Sequence, residues 1–242
     1  MRKALYEFIK RLRAFLVSKF RKHHVTVPYI IIFVVALIVV VGGINLFIEF
    51  TEHLKGKVFS KYDQQITEYI IAYRSPSLTK YFIFATKVGD LYGYLVVLTI
   101  MVLISVFIFK KWKYVVQTTT VLALAGVSNM MLKRFVDRAR PGIEHLVSVE
   151  TLSYPSGHAM SAMAFYGFVI YMFYRFNINK YLKIAVITIL TILIFSIGIS
   201  RIYLGVHFPT DIIGGFIAGF IWVIFCILLF DLIEVFRRDP KT

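Results

Sequence analysis

Residues 28–48 read PYIIIFVVALIVVVGGINLFI, a run without one charged side chain. A bilayer core of about 30 Å is crossed by roughly 20 apolar residues in a helix, so this run is long enough to span one. Five further runs qualify on the same reading: 91–109, 114–132, 158–174, 183–199 and 211–231. The expected fold is therefore an all-α membrane protein, a bundle of six transmembrane helices. The first run is too long and uninterrupted for the apolar region of a cleaved signal peptide and lacks a small-residue cleavage pattern, so it is expected to be retained. A hydrophobic fraction of 59% against 17% charged residues agrees, because such a chain meets lipid over most of its surface. The single cysteine, Cys226, lies inside an apolar run and excludes an intrachain disulfide.

The formal charge of +15 raises the question of nucleic acid. On so apolar a chain, a basic balance reflects loops that face anionic lipid and the cytoplasm, and no nucleic-acid partner is expected. The positions of Lys and Arg set the orientation. Arg2, Lys3, Lys10, Arg11, Arg13, Lys19, Arg21 and Lys22 precede the first run, against Glu7 alone. Lys110, Lys111 and Lys113 separate runs two and three, Arg175, Lys180 and Lys183 separate four and five, and Arg237, Arg238 and Lys241 follow the sixth. With an even number of spans these all fall on one side, which the positive-inside rule makes cytoplasmic, so both termini are expected there. The chain divides into a basic cytoplasmic tail (1–27), a six-span domain (28–231) with an extracytoplasmic segment at 49–90, and a second cytoplasmic tail (232–242).

Two stripes at helical spacing lie outside the spans. Leu5, Phe8, Ile9, Leu12 and Leu16 alternate with basic residues and fit an interfacial helix on the inner leaflet, or a solvated tail. Tyr62, Ile66, Tyr69, Ile70 and Tyr73 fit a helix on the membrane surface, or a connector packed on the bundle.

Ionisable residues near spans are costly and usually functional. They gather in three clusters, each at the expected outer end of a span. KRFVDRARP runs from Lys133 to Pro141; Pro155, Ser156, Gly157 and His158 open the fourth span; Ser200, Arg201, His207 and Asp211 bridge the fifth and sixth. Lys133 is followed by six residues and then Arg140-Pro141, Arg201 by five and then His207, and His207 by three and then Asp211.

This spacing resembles the signature of the type 2 phosphatidic acid phosphatase superfamily, Lys-x6-Arg-Pro, Pro-Ser-Gly-His and Ser-Arg-x5-His-x3-Asp, over about residues 60–231. Among its branches the chain is most similar to bacterial membrane lipid phosphatases of the phosphatidylglycerophosphate phosphatase B type. The resemblance implies hydrolysis of a lipid phosphate through a phosphohistidine on His207, on the extracytoplasmic face of the cell membrane. Asp211, in the first turn after Pro209, would reach back to the ring of His207, fix its tautomer and leave the other nitrogen to attack phosphorus. Ser156 would cap the fourth helix, and Gly157 would admit a phosphate to its N-terminus. His158 would give a proton to the leaving oxygen. Lys133, Arg140 and Arg201 would bind the phosphoryl oxygens. Taken singly these residues have plainer readings: a helix cap beside a structural histidine, or snorkelling cations at the interface.

Arg134, Asp137 and Arg138 occupy no motif position and read as solvated or substrate-steering charges. His23, His24, His53 and His145 belong to no motif. No cofactor or metal is implied, since three cations already face the phosphate and no acid cluster has two-metal spacing. Gly215 and Gly219 form a GxxxG step that suits either dimerisation or close packing within the bundle. The substrate candidates are phosphatidylglycerophosphate, phosphatidic acid and undecaprenyl diphosphate. A lipid phosphotransferase and a non-catalytic lipid transporter are the competing functions, although transport needs no matched pair of histidines. The oligomeric state is not legible.

Overall fold

The computed structural model describes residues 26–54, 57–110, 112–135, 138–148 and 152–238, and the regular structure among them is entirely helical. In chain order these are α1 (Thr26–His53), α2 (Lys57–Ala72), α3 (Pro76–Val88), α4 (Leu91–Leu103, continued by a π-helical turn Ile104–Phe109), α5 (Lys113–Phe135), α6 (Gly157–Arg175), α7 (Lys180–Tyr203) and α8 (Pro209–Arg238). All six apolar runs fall within helices. The N-terminal stripe and Asp137 lie outside the described residues.

By length and composition, α5, α7 and α8 can each cross a bilayer, and α3 with α4, bent by 62° at their junction, forms a fourth candidate among the described residues. The chain is a multi-pass membrane protein. The junction follows from local sequence. Ser75 caps α3 by accepting from the N–H of Leu78, with Pro76 in the first turn where its missing donor costs nothing. Gly89 closes α3, and Asp90 sits at the N-cap position of α4.

Helix α6 occupies the centre and packs against α5, α7 and α8. Its buried positions run around the whole helix, from Ala159, Met160 and Ala162 to Phe165, Tyr166 and Met172. A helix that is apolar all round belongs inside a bundle. Small residues let its neighbours come close. A Cβ at Gly215 would lie 2.7 Å from the carbonyl oxygen of Ser156, and one at Gly219 2.5 Å from that of Met160. The GxxxG step of α8 is thus spent on close packing against α6 within the chain.

The described residues within 49–90 are mostly helical. They include the end of α1, all of α2 and α3, and the bend. On α2 the aromatic stripe faces outward, with Tyr62, Ile66, Tyr69 and Tyr73 exposed, while Asp63 and Thr67 are buried. The face turned to the bundle is mixed: Phe59 and Ile70 pack on the core while Asp63 docks onto the start of α8.

Candidate active site

Three chain segments meet at one end of the bundle: the stretch after α5, the start of α6, and the turn from α7 into α8. Each motif residue is positioned by a local rule. Pro209 opens α8, so Phe208 is its N-cap and Asp211 its third residue. The Asp211 carboxylate accepts the Phe208 N–H at 2.8 Å, half of a capping box. The same oxygen lies 3.3 Å from His207 Nδ1 and accepts the hydroxyl of Ser153. His207 is held from its backbone too, its N–H donating to the Arg201 carbonyl at 3.1 Å.

His207 is 2% exposed and Asp211 fully buried. Desolvation pushes the His207 imidazole down to about 4, only partly opposed by its hydrogen bond to Asp211. The ring is therefore neutral at ordinary pH. With Nδ1 turned to the carboxylate, the lone pair rests on Nε2, and Arg140 Nη1 stands 3.3 Å from that atom. Arg140 is itself fastened to the Val206 carbonyl at 2.6 Å. A phosphorus atom brought to Nε2 would meet a guanidinium already in place.

Ser156 caps α6 by accepting from the Ala159 N–H, and its own N–H donates to the Asp211 carbonyl. Both of its groups are thus committed, and the N–H groups of Gly157 and His158 stand at the helix mouth, where helical geometry supplies no acceptor. His158 Nε2 lies 2.6 Å from Asp90 Oδ1. Arg201 is buried and donates to Thr86 Oγ1 at 2.6 Å, while its Nε makes no hydrogen bond among the described residues. Such a buried donor is suited to an incoming oxyanion. Lys133, at the end of α5, shares its electrostatic surroundings with Arg140, Arg201 and Asp211, and with Arg140 it lines a basin of about 600 Å³. The structure thus brings all eight residues named from the motifs into one neighbourhood. Among the described residues no three of His, Cys, Asp and Glu converge as a metal site would require.

Sequence reasoning missed several participants. Arg138, read as a solvated or steering charge, is a partly buried bridge. Its Nη1 reaches Asp211 Oδ1 at 2.6 Å and Thr210 Oγ1 at 2.8 Å, and its Nη2 reaches Asp63 Oδ2 at 2.6 Å. Asp63 also accepts the Thr210 N–H at 3.0 Å. The guanidinium packs over the Phe208 ring, 4.8 Å from its centroid. Asp90, Thr86 and Ser153 were not singled out either. The one signal for Asp63 was its place opposite the tyrosines on an amphipathic helix.

The PAP2 superfamily model matches residues 112–233, which include every motif residue. The chain belongs to the PAP2 superfamily. It is 31% identical to phosphatidylglycerophosphatase B of Bacillus subtilis over 181 residues, 74% of this chain and 85% of that protein. It is 26% identical to the lipid A 1-phosphatase of Rhizobium etli over 110 residues, covering 41% of this chain and 43% of that one. Among solved structures it resembles the transmembrane PAP2-type phosphatidylglycerolphosphate phosphatase from Bacillus subtilis, with a TM-score of 0.72 and 26% identity over 85% of this chain and all of the other. Aquifex aeolicus LpxE superposes with a TM-score of 0.55 and 26% identity over 68% of this chain and 93% of that one.

Proposed function

We propose that this PAP2 phosphatase removes phosphate from a membrane lipid through a phosphohistidine on His207. The observation that carries the reading is the buried imidazole, with Nδ1 at Asp211 and Nε2 opposite Arg140. In the first step the Nε2 lone pair bonds to phosphorus while the phosphorus–oxygen bond to the lipid breaks. Its electron pair leaves with the lipid oxygen, which takes a proton from His158. Arg140, Arg201, Lys133 and the N–H groups of Gly157 and His158 hold the equatorial oxygens. Water then attacks the phosphohistidine, gives a proton to His158, and the electron pair of the nitrogen–phosphorus bond returns to Nε2.

A lipid rather than a soluble ester is supported by an apolar groove of about 720 Å³ between α1, α5 and α8, lined by Ile44, Phe47, Leu132, Ile221 and Trp222 among others. Its wall includes Thr51, whose hydroxyl hydrogen-bonds that of Tyr154 two residues before Ser156. Tyr154 thus links the wall of the groove to the segment that leads into α6. The six helices containing the apolar runs are proposed as six spans, with both termini cytoplasmic and the site on the extracytoplasmic face. The tails (1–27 and 232–242) flank one phosphatase domain (28–231).

Purified protein presented with phosphatidylglycerophosphate, phosphatidic acid and undecaprenyl diphosphate should release inorganic phosphate in excess chelator, and orthovanadate should inhibit. Loss of activity in chelator restored by a divalent ion, or transfer of the phosphoryl group to a second lipid in place of release, would overturn the reading. Glu144→Cys in a Cys226→Ser background should react with an impermeant thiol reagent on intact cells. Protection until lysis would reverse the topology.

A further inference from the structure

The carboxylate of Asp90 stands at the break between α3 and α4, at the N-cap position of α4, yet makes no hydrogen bond to that helix's backbone. An aspartate there ordinarily accepts from the second or third N–H of its own helix. Here Oδ1 instead points at His158 Nε2, 2.6 Å away. The neighbouring residue makes room for the contact. A Cβ at Gly89 would lie 2.7 Å from Ile197 Cγ2 and 3.3 Å from His158 Cδ2, so the ring edge carrying Cδ2 and Nε2 lies against the break. The opposite edge carries Nδ1.

His158 is also partly withdrawn from water and lies near two cations, Arg201 on α7 and Lys133 on α5. An imidazolium beside two cations is unfavourable unless a carboxylate accompanies it. Asp90 supplies that charge, and with its side chain 47% exposed it remains within reach of water. The residue one turn back along α3, Thr86, holds Arg201, so the bend orients two parts of the site at once.

We propose that Asp90 is the positioning residue of the proton donor: it fixes Nε2–H of His158 and sustains the ring's positive charge, leaving Nδ1–H for the leaving lipid oxygen. The site then contains two carboxylate–imidazole pairs of opposite task. Asp211 keeps His207 in the tautomer that attacks, and Asp90 keeps His158 in the form that gives a proton. When the proton passes from Nδ1 to the oxygen of the breaking bond, His158 is left neutral with Nε2–H still on Asp90, ready to accept from water in the second step.

The inference rests on His158 being the acid, and the experiment separates the two claims. The measurement is kcat and KM in one detergent, on an alkyl phosphate and on an aryl phosphate, for Asp90→Asn, His158→Ala and the double variant. His158→Ala should lose on the order of 10²–10⁴ in kcat on the alkyl ester and much less on the aryl ester, whose anion departs unaided. Asp90→Asn should show the same preference at a smaller scale, about tenfold to a hundredfold on the alkyl ester with KM little changed, as for outer carboxylates that orient an imidazole. The double variant should be no worse than His158→Ala, because Asp90 acts through that ring. Asp90→Ser, which keeps an N-cap residue without a carboxylate, repeats the test independently, and Asp90→Glu should recover part of the rate. An unchanged or raised rate in Asp90→Asn, equal losses on both esters, or losses that add in the double variant would overturn the role of Asp90 while leaving His158 as acid. Equal losses for His158→Ala itself would overturn the underlying assignment and this inference with it.

Discussion

The two histidines of the site sit in unlike surroundings. His207 and Asp211 are buried to 2% and 0% exposure, and Asp211 is gripped by Arg138, Ser153 and the Phe208 N–H as well as by the ring. His158 and Asp90 are 22% and 47% exposed, and their carboxylate comes from a helix break rather than from a capped helix start. The difference matches what each ring does in the proposed mechanism. A nucleophile must present one lone pair along one line, and redundant partners enforce that. A proton donor exchanges with water every cycle and needs a route to solvent. Rigidity and access are thus divided between two similar pairs.

The comparison breaks most visibly at His207. His207→Ala should lose roughly 10⁴-fold or more in kcat/KM on every substrate, whatever its leaving group, as for other removed nucleophiles. A phosphohistidine recovered from that variant after an alkaline quench, which preserves the nitrogen–phosphorus bond, would show that the pairs have been assigned the wrong way round.

The next effect concerns the redundancy of the buried pair. Arg138→Ala would leave Asp211 and Asp63 as buried carboxylates without their shared cation, a loss of about 3–5 kcal/mol for a broken buried pair. Thermal unfolding in detergent should register it, and Asp63→Asn added to Arg138→Ala should restore part of the stability by removing one stranded charge. Unaltered stability in Arg138→Ala would mean that the capping box alone holds Asp211.

The smallest expected change is one of pH. Burial holds His207 at about 4, below the ordinary imidazole value of about 6.5. The neutral, attacking form is therefore present throughout neutral pH and is lost only as pH falls through about 4. An unfolded chain would take up this proton near 6.5, so the residue's linked contribution to stability is complete above that value and declines as pH falls from about 6.5 towards 4. Histidine nitrogen NMR of the substrate-free protein should show one ring silent between pH 5 and 8, and that signal should vanish in His207→Ala. A His207 titration near 6.5 would erase the contrast in burial.

The residues that meet at the candidate site were legible before the structure. Three motifs match a family signature position by position, and within them the reach of Asp211 back to His207 follows from the four-residue spacing of a helix turn. The apolar runs were legible because a bilayer sets their length. What escaped notice were partners joined across the fold: Asp63 with Thr210, 147 positions apart, and Asp90 with His158, 68 apart. No periodicity connects them. Arg138 was misread because a cation in a loop between two motif residues resembles a solvated charge until its acids appear. On α2 the tyrosines drew attention to the face that points outward.

The glycine step on α8 has a bearing on how such an enzyme changes. Where Gly215 and Gly219 meet α6, the space a Cβ would need is already taken by α6 backbone and by the Cβ atoms of Ala159 and Met163. Such a joint has no partly open setting, since any separation leaves an empty slot without atoms to fill it. The joint between α6 and α8 is thus fixed by its packing. Room for a bulkier headgroup must therefore come from elsewhere, from α1 and from Met130, Arg134, Ala139 and Leu152 in the wall of the basin. A laboratory lineage selected for new lipid substrates should collect its substitutions there and leave Gly215 and Gly219 untouched.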